Sequence, residues 1–145
     1  GILASVVLAS LNSARKKSRD ARRLADVKQL PVAMELYFSS NSNYPTTLAQ
    51  LATTGCGGGT CISTLPKDPV GVVDYHYAAL GSGTSCTSYN LAASMEESSN
   101  PALNSAALVA ASSGLCTGSG SDVSGSKTAT CASDSWGTAC YDVKP

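Results

Sequence analysis

The sequence predicts an α+β fold: a long N-terminal helix packed on a small antiparallel sheet, with disulfide-stapled loops. Three observations carry that expectation. Apolar residues recur every three or four positions through roughly the first forty residues, which is helical periodicity. Two later runs alternate with period two and are rich in β-forming residues, which reads as a hairpin. Six cysteines lie at 56, 61, 86, 116, 131 and 140, all beyond the helix.

The helix has three sections. Gly1 to Leu11 is apolar, with Ile2, Leu3, Val6, Val7, Leu8 and Leu11 separated by small residues. Arg15 to Arg23 is a basic belt of Arg15, Lys16, Lys17, Arg19, Arg22 and Arg23, with Asp20 inside it. Leu24 to Phe38 is amphipathic, through Leu24, Val27, Pro31, Met34 and Phe38. The spacing keeps its phase across Pro31, so one kinked helix is expected rather than two. Ser39 to Asn43 stops it, and Tyr44-Pro45 leads out. About forty helical residues span roughly 60 Å, more than a head of this size can cover. Residues 1–23 are therefore expected to protrude, and 24–145 to form the head with the second half of the helix.

The rest of the chain reads as follows. Thr46 to Leu51 is a short helix with Thr46 or Thr47 as cap. Leu65-Pro66-Lys67-Asp68-Pro69 is a rigid turn. Val72 to Leu80 is a strand with Val73, Tyr75 and Tyr77 on one side, and Cys86 to Met95 is its antiparallel partner, with Tyr89, Leu91 and Ala93 in alternation. Ala102 to Ala111 is a short helix or a loop that packs Leu103 and Leu108. Thr117 to Ser126 is low-complexity loop, Cys131 to Cys140 a terminal loop carrying Trp136, and the last five residues a tail. Tyr37, Phe38, Tyr44, Tyr75 and Tyr77 are expected between helix and sheet, where burying a large side chain contributes roughly 1.5–3 kcal/mol.

Composition narrows the function. Charged residues are only 14% of the chain, with formal net charge zero, but their distribution is uneven. Positions 15–28 hold seven bases against two acids, and the remainder three bases against eight acids. A basic stem thus carries an acidic head, an asymmetry that suits assembly or surface association. An even cysteine count in a Ser/Thr/Gly-rich head points to disulfides and an oxidising compartment. Six cysteines allow fifteen connectivities. Cys56–Cys61 and Cys131–Cys140 are favoured because each closes a short loop, which leaves Cys86–Cys116 by elimination. A zinc site is disfavoured: no C-x-x-C pair occurs, and the lone His76 sits in a strand pattern.

Catalysis is not expected, because any base would have to be His76, and no orienting neighbour adjoins it. Gly55 to Cys61 lacks the following Lys-Ser/Thr of a phosphate loop. Direct nucleic-acid binding by the basic belt is not expected either, since no aromatic residues interleave with it. The order of the start, apolar then basic, is the reverse of a signal peptide. It suits a membrane helix whose first half lies upstream of Gly1, an expectation strengthened by the abrupt Gly1-Ile2-Leu3 start.

These features in this order resemble the type IV pilin and pseudopilin superfamily. Residues 1–15 look like the second half of its N-terminal helix. Arg22 to Leu30, followed by Met34-Glu35-Leu36-Tyr37-Phe38 and Asn43-Tyr44-Pro45, is similar to the stem-to-head junction. Leu65 to Pro69 with Tyr75 and Tyr77 resembles the turn and first strand of a major-pseudopilin head, and Tyr89 to Glu96 the next strand. The resemblance covers roughly residues 1–97. The tail from Pro101 onward departs from it.

The resemblance implies a structural role: the major subunit of a type IV pilus or pilus-like extracellular filament, serving adhesion, motility or DNA uptake. An inner-membrane precursor would be extracted by the pilus assembly machinery into a helical homopolymer of identical subunits. The runner-up is a major pseudopilin of a type II secretion system. A third reading, from another class, is a monomeric secreted binding domain with a basic membrane-surface helix. Ile2, Leu3, Val6, Val7, Leu8, Leu11, Arg15, Arg22 and Arg23 are the expected assembly residues. The basic belt is expected to meet acids such as Asp68, Asp74 or Glu96 on neighbouring heads, and changing Arg22 and Arg23 together to Glu is expected to lower filament yield without unfolding the head. No cofactor is expected. Major pseudopilins often hold calcium in a C-terminal loop, which makes Asp122, Asp134 and Asp142 weak candidate ligands, although solvated loop acids fit their scatter better.

Overall fold

A computed structural model of the chain describes residues 1–53, 55–111, 114–131, 134 and 136–145. Its first element is a single helix, α1, over Ile2–Asn41. It runs through Pro31 and ends where Ser42 turns left-handed (φ 55°) and its N–H bonds to the carbonyl of Phe38. Ile2 lies in the helix, but its side chain, expected above to serve assembly, is outside the described residues.

Three strands follow among the described residues: β1 at His76–Ser82, β2 at Ser85–Met95 and β3 at Ala139–Val143. They form one antiparallel sheet in the order β1-β2-β3. Residues of β2 alternate as the sequence implies. Tyr89, Leu91, Ala93 and Met95 join Val27, Leu30 and Met34 of α1 in the main core. On the opposite face Ala92 packs with Val123, Cys131 and Cys140 in a second cluster. Loops, not water, cover that face, so β2 is buried on both sides from Tyr89 to Met95.

Two expectations about strands need correction. β1 begins at His76, not Val72. Val72 adopts φ 54°, a left-handed conformation incompatible with a strand, and a hydrogen bond from Asp68 N to Val73 O closes a turn there instead. The segment read as terminal loop and tail supplies β3, which pairs along β2 from Leu91–Val143 to Met95–Ala139. Its alternation is present in the sequence, with Tyr141 and Asp142 on opposite faces, but five residues interrupted by an acid give a weak signal. Both Asp142 and Tyr141 are buried.

Smaller features follow expectation more closely. Leu48–Ala52 is a 3-10 turn whose N-cap is Thr47. Gln50 Oε1 accepts the N–H groups of Thr46 (2.6 Å) and Thr47 (3.3 Å). Pro101–Asn104 forms another 3-10 turn that buries Leu103, while Leu108 is exposed rather than packed. The aromatic core is built from Phe38, Tyr44, Tyr89 and Tyr77, whose rings meet in that order at 4.7, 4.9 and 6.1 Å between centroids. Burial pushes the Tyr44 and Tyr89 phenols up to about 12; the hydrogen bond from Tyr44 to Glu35 adds to the rise. Cys56–Cys61, Cys86–Cys116 and Cys131–Cys140 are the three disulfides.

Candidate functional site

The site has two parts, an uncovered stem and the charged junction that joins it to the head. From Leu3 to Ser18 every described side chain of α1 is exposed. The large apolar ones, Leu3, Val6, Val7, Leu8 and Leu11, range from 46 to 83% exposed, and no described part of the head folds back over them. Among the described residues, no helix is long and apolar enough to cross a membrane. Arg15, Lys16 and Lys17 follow on the exposed stem.

The head takes hold of the helix at Asp20. The turn after Leu65-Pro66 and the end of β2 converge here on one helical face. Arg23 is fully buried. Its Nε and Nη2 bond Asp68 at 2.8 and 3.0 Å, and its Nη1 reaches Asp20 at 2.7 Å and Glu96 at 2.9 Å. Trp136, from the loop before β3, lies over the guanidinium at 4.3 Å from ring centroid to Cζ, within cation–π range. Arg19 adds a two-pronged grip on Glu96, both contacts 2.7 Å. Asp20 also accepts the backbone N–H groups of Glu96 and Glu97. One arginine thus fastens the stem helix, the proline turn, the end of β2 and the C-terminal loop.

This arrangement corrects the expectation for Arg23. It does not face a neighbouring head: its partners Asp68 and Glu96 belong to its own chain. The protruding part of the helix ends near Ser18 rather than at Arg23. Asp74 pairs with Lys67 of its own chain at the surface, where its side chain stays about half exposed. Arg22 does point outward, 61% exposed, with a loose contact to Asp26 at 3.9 Å. The Arg22/Arg23 double change to Glu would therefore disrupt the head itself, because a fourth carboxylate would be buried among three. The clue in the sequence was phase: Asp20, Arg23, Val27, Leu30 and Met34 share one helical face, so the charges lay on the core side.

Burial opposes the charge on Arg23, but the hydrogen bonds it donates to Asp68 and Glu96 outweigh it and raise its pKa. The hydrogen bond from Arg19, with that from Arg23, holds the Glu96 carboxyl below its ordinary value of 4.5. A depressed carboxylate stabilises the fold fully above its unfolded pKa, and that contribution is lost as pH falls through the folded value. Stability is therefore expected to decline below about pH 4.5. Glu96→Gln should be less stable than the parent at pH 7, with a smaller further loss on going to pH 3. Urea midpoints at the two pH values check this, and an equal acid loss in parent and variant would remove Glu96 from the account.

The acids weighed as calcium ligands lie apart. Asp122 accepts a bond from Asn90, Asp134 meets His76 and Ser94, and buried Asp142 accepts the N–H groups of Leu108 and Val109. Among the described residues no group of three or more His, Cys, Asp or Glu side chains is placed to hold a metal. His76, with no orienting neighbour adjoining it in sequence, gains one from the fold: its Nε2 lies 2.7 Å from Asp134.

A long helix half sheathed by a disulfide-stapled sheet, with a bare apolar end, defines a subunit with an unpartnered stem. Type II secretion system core protein G of Vibrio cholerae serotype O1 is 34% identical to this chain over 107 residues, which cover 67% of this chain and 73% of that protein. No family model matches the sequence, and no solved structure matches it. The chain belongs to the type IV pilin and pseudopilin superfamily.

Proposed function

We propose that this chain is the repeating subunit of a type II secretion pseudopilus, held at the inner membrane before assembly and bundled by its stem afterwards. The observation that carries the reading is the bare apolar face of Leu3, Val6, Val7, Leu8 and Leu11. Such a surface must be removed from water by lipid or by sister helices. Small residues at Ala4, Ser5, Ala9, Ser10, Ser13 and Ala14 let parallel helices approach closely. Head-to-tail repetition of one contact gives an open filament. The relative's part in type II secretion favours the pseudopilus over the surface pilus.

The surface pilus is the second reading, favoured by a head with three disulfides and a glycine-rich, cysteine-closed loop at 55–61. Deleting the subunit in its native cell and imaging the wild type by electron microscopy separates the two. A pseudopilus predicts exported proteins retained in the periplasm and no long surface filament. Long filaments with export intact would favour the pilus. Analytical ultracentrifugation of the full-length subunit without detergent addresses the third reading, since a stable monomer would contradict both filaments.

A further inference from the structure

The turn that interrupts the expected first strand is unusual. Val72 is β-branched yet left-handed, with φ 54°, and its side chain is 73% exposed. A β-branched residue in that region is strained, and such strain persists where the surroundings impose it, often at functional positions. Here the surroundings are firm. Asp68 N bonds Val73 O, Asp68 Oδ1 accepts Val70 N at 2.7 Å, and Arg23 grips the Asp68 carboxylate. The turn thus holds two valines, Val72 and Val73, out in solvent, flanked by the Lys67–Asp74 pair.

A receptive surface lies elsewhere on the same chain. On the side of α1 away from the sheet, Leu3, Val7, Leu11, Val32 and Leu36 fall within about 80° of one another at roughly 100° per residue. All five are exposed. The face that would bundle in the stem therefore continues up the head. At its upper end lies a groove of about 100 Å³ lined by Gln29, Val32, Ala33, Leu36, Cys61 and Ile62. Its outer wall is rigid, because Cys61 is disulfide-bonded and the N–H groups of Cys61 and Ile62 both bond Leu51 O. About one helical turn before Val32, Lys28 is exposed and has no acidic partner among the described residues.

Building on the filament reading, we infer that Val72 and Val73 of one subunit seat in the Val32–Leu36 groove of a second copy of this chain, with Asp74 of the first reaching Lys28 of the second. The sizes suit each other: a branched aliphatic side chain meets a small apolar groove. The charges are compatible: Asp74 stays half exposed beside Lys67 and has room to accept a second cation, which Lys28 supplies. Asp68 places the valine turn at the level of Arg23, whereas Val32 and Leu36 lie about 14 and 20 Å further along the helix at about 1.5 Å per residue. A subunit cannot fill its own groove. The contact joins parallel copies displaced along the helix axis, which is a heterologous, non-closing repeat.

Val72→Gly removes the valine side chain and relieves the strain. The full-length variant is expected to melt at or above the parent temperature, yet filament yield in the native cell should fall several-fold. Lys28→Asp and Asp74→Lys should each lower filament yield, and the double variant should recover it. Val72→Gly at parental yield, or a double charge exchange no better than either single change, would overturn the contact while leaving the filament reading in place. Absence of filaments from the parent chain would sink both.

Discussion

Replacing Arg23 with Ala is expected to destabilise the head by about 3–5 kcal/mol, the range for removing one partner of a buried ion pair. Without the guanidinium, Asp20, Asp68 and Glu96 stand together, and among the described residues Arg19 is the cation still paired with them, through Glu96. The cost is moderated because Asp20 keeps the N–H groups of Glu96 and Glu97, and Asp68 keeps that of Val70. Urea unfolding read by fluorescence of Trp136, the chain's single tryptophan, measures the loss. Arg23→Lys separates charge from shape. A lysine keeps the cation but cannot span Asp68 through two nitrogens while reaching Glu96 and Asp20 through a third, so an intermediate loss is expected. A loss under about 1 kcal/mol for Arg23→Ala would match an exposed pair and contradict the burial of the network.

The same residue shows where sequence reading succeeds and where it falls short. The rod was legible because its apolar period persists for forty residues, through Pro31, and the hairpin because Tyr89, Leu91 and Ala93 alternate cleanly. The bare stem followed from length alone. Arg23 was misplaced because a basic residue within a basic belt reads as solvated, and only its three-dimensional partners reveal otherwise. Those partners come from the turn at Asp68, from Glu96 at the end of β2 and from the loop at Trp136, up to 113 residues away. Local pattern carries no information about such convergence. β3 was missed for a related reason: Asp142 looks like a loop acid until the backbone of Leu108 and Val109 is seen to satisfy it. Propensity alone places Val72 in a strand, and the Asp68–Val73 turn overrides it.

Breaking Cys86–Cys116 with a double change to Ser is expected to cost more than breaking Cys56–Cys61 the same way. The first bridge spans 30 residues and the second 5. Chain entropy alone then assigns about 3–4 kcal/mol to the longer loop and about 2 kcal/mol to the shorter. Burial widens the gap, because Cys86 and Cys116 lie in the main core and their serine replacements would have to be desolvated there, while Cys56 and Cys61 are partly open. The longer bridge also anchors an excursion with little regular structure. Around it Cys116 N bonds Ala79 O and Gly81 N bonds Gly114 O, fastening the chain beyond the 3-10 turn to β1. Loss of the bridge should free that segment, so limited proteolysis of the Cys86/Cys116 variant is expected to cut first between residues 105 and 127. The Cys56/Cys61 variant should resist there and show the smaller fall in urea midpoint. Equal losses in the two variants would mean that neither loop length nor burial governs how these bridges hold the head together.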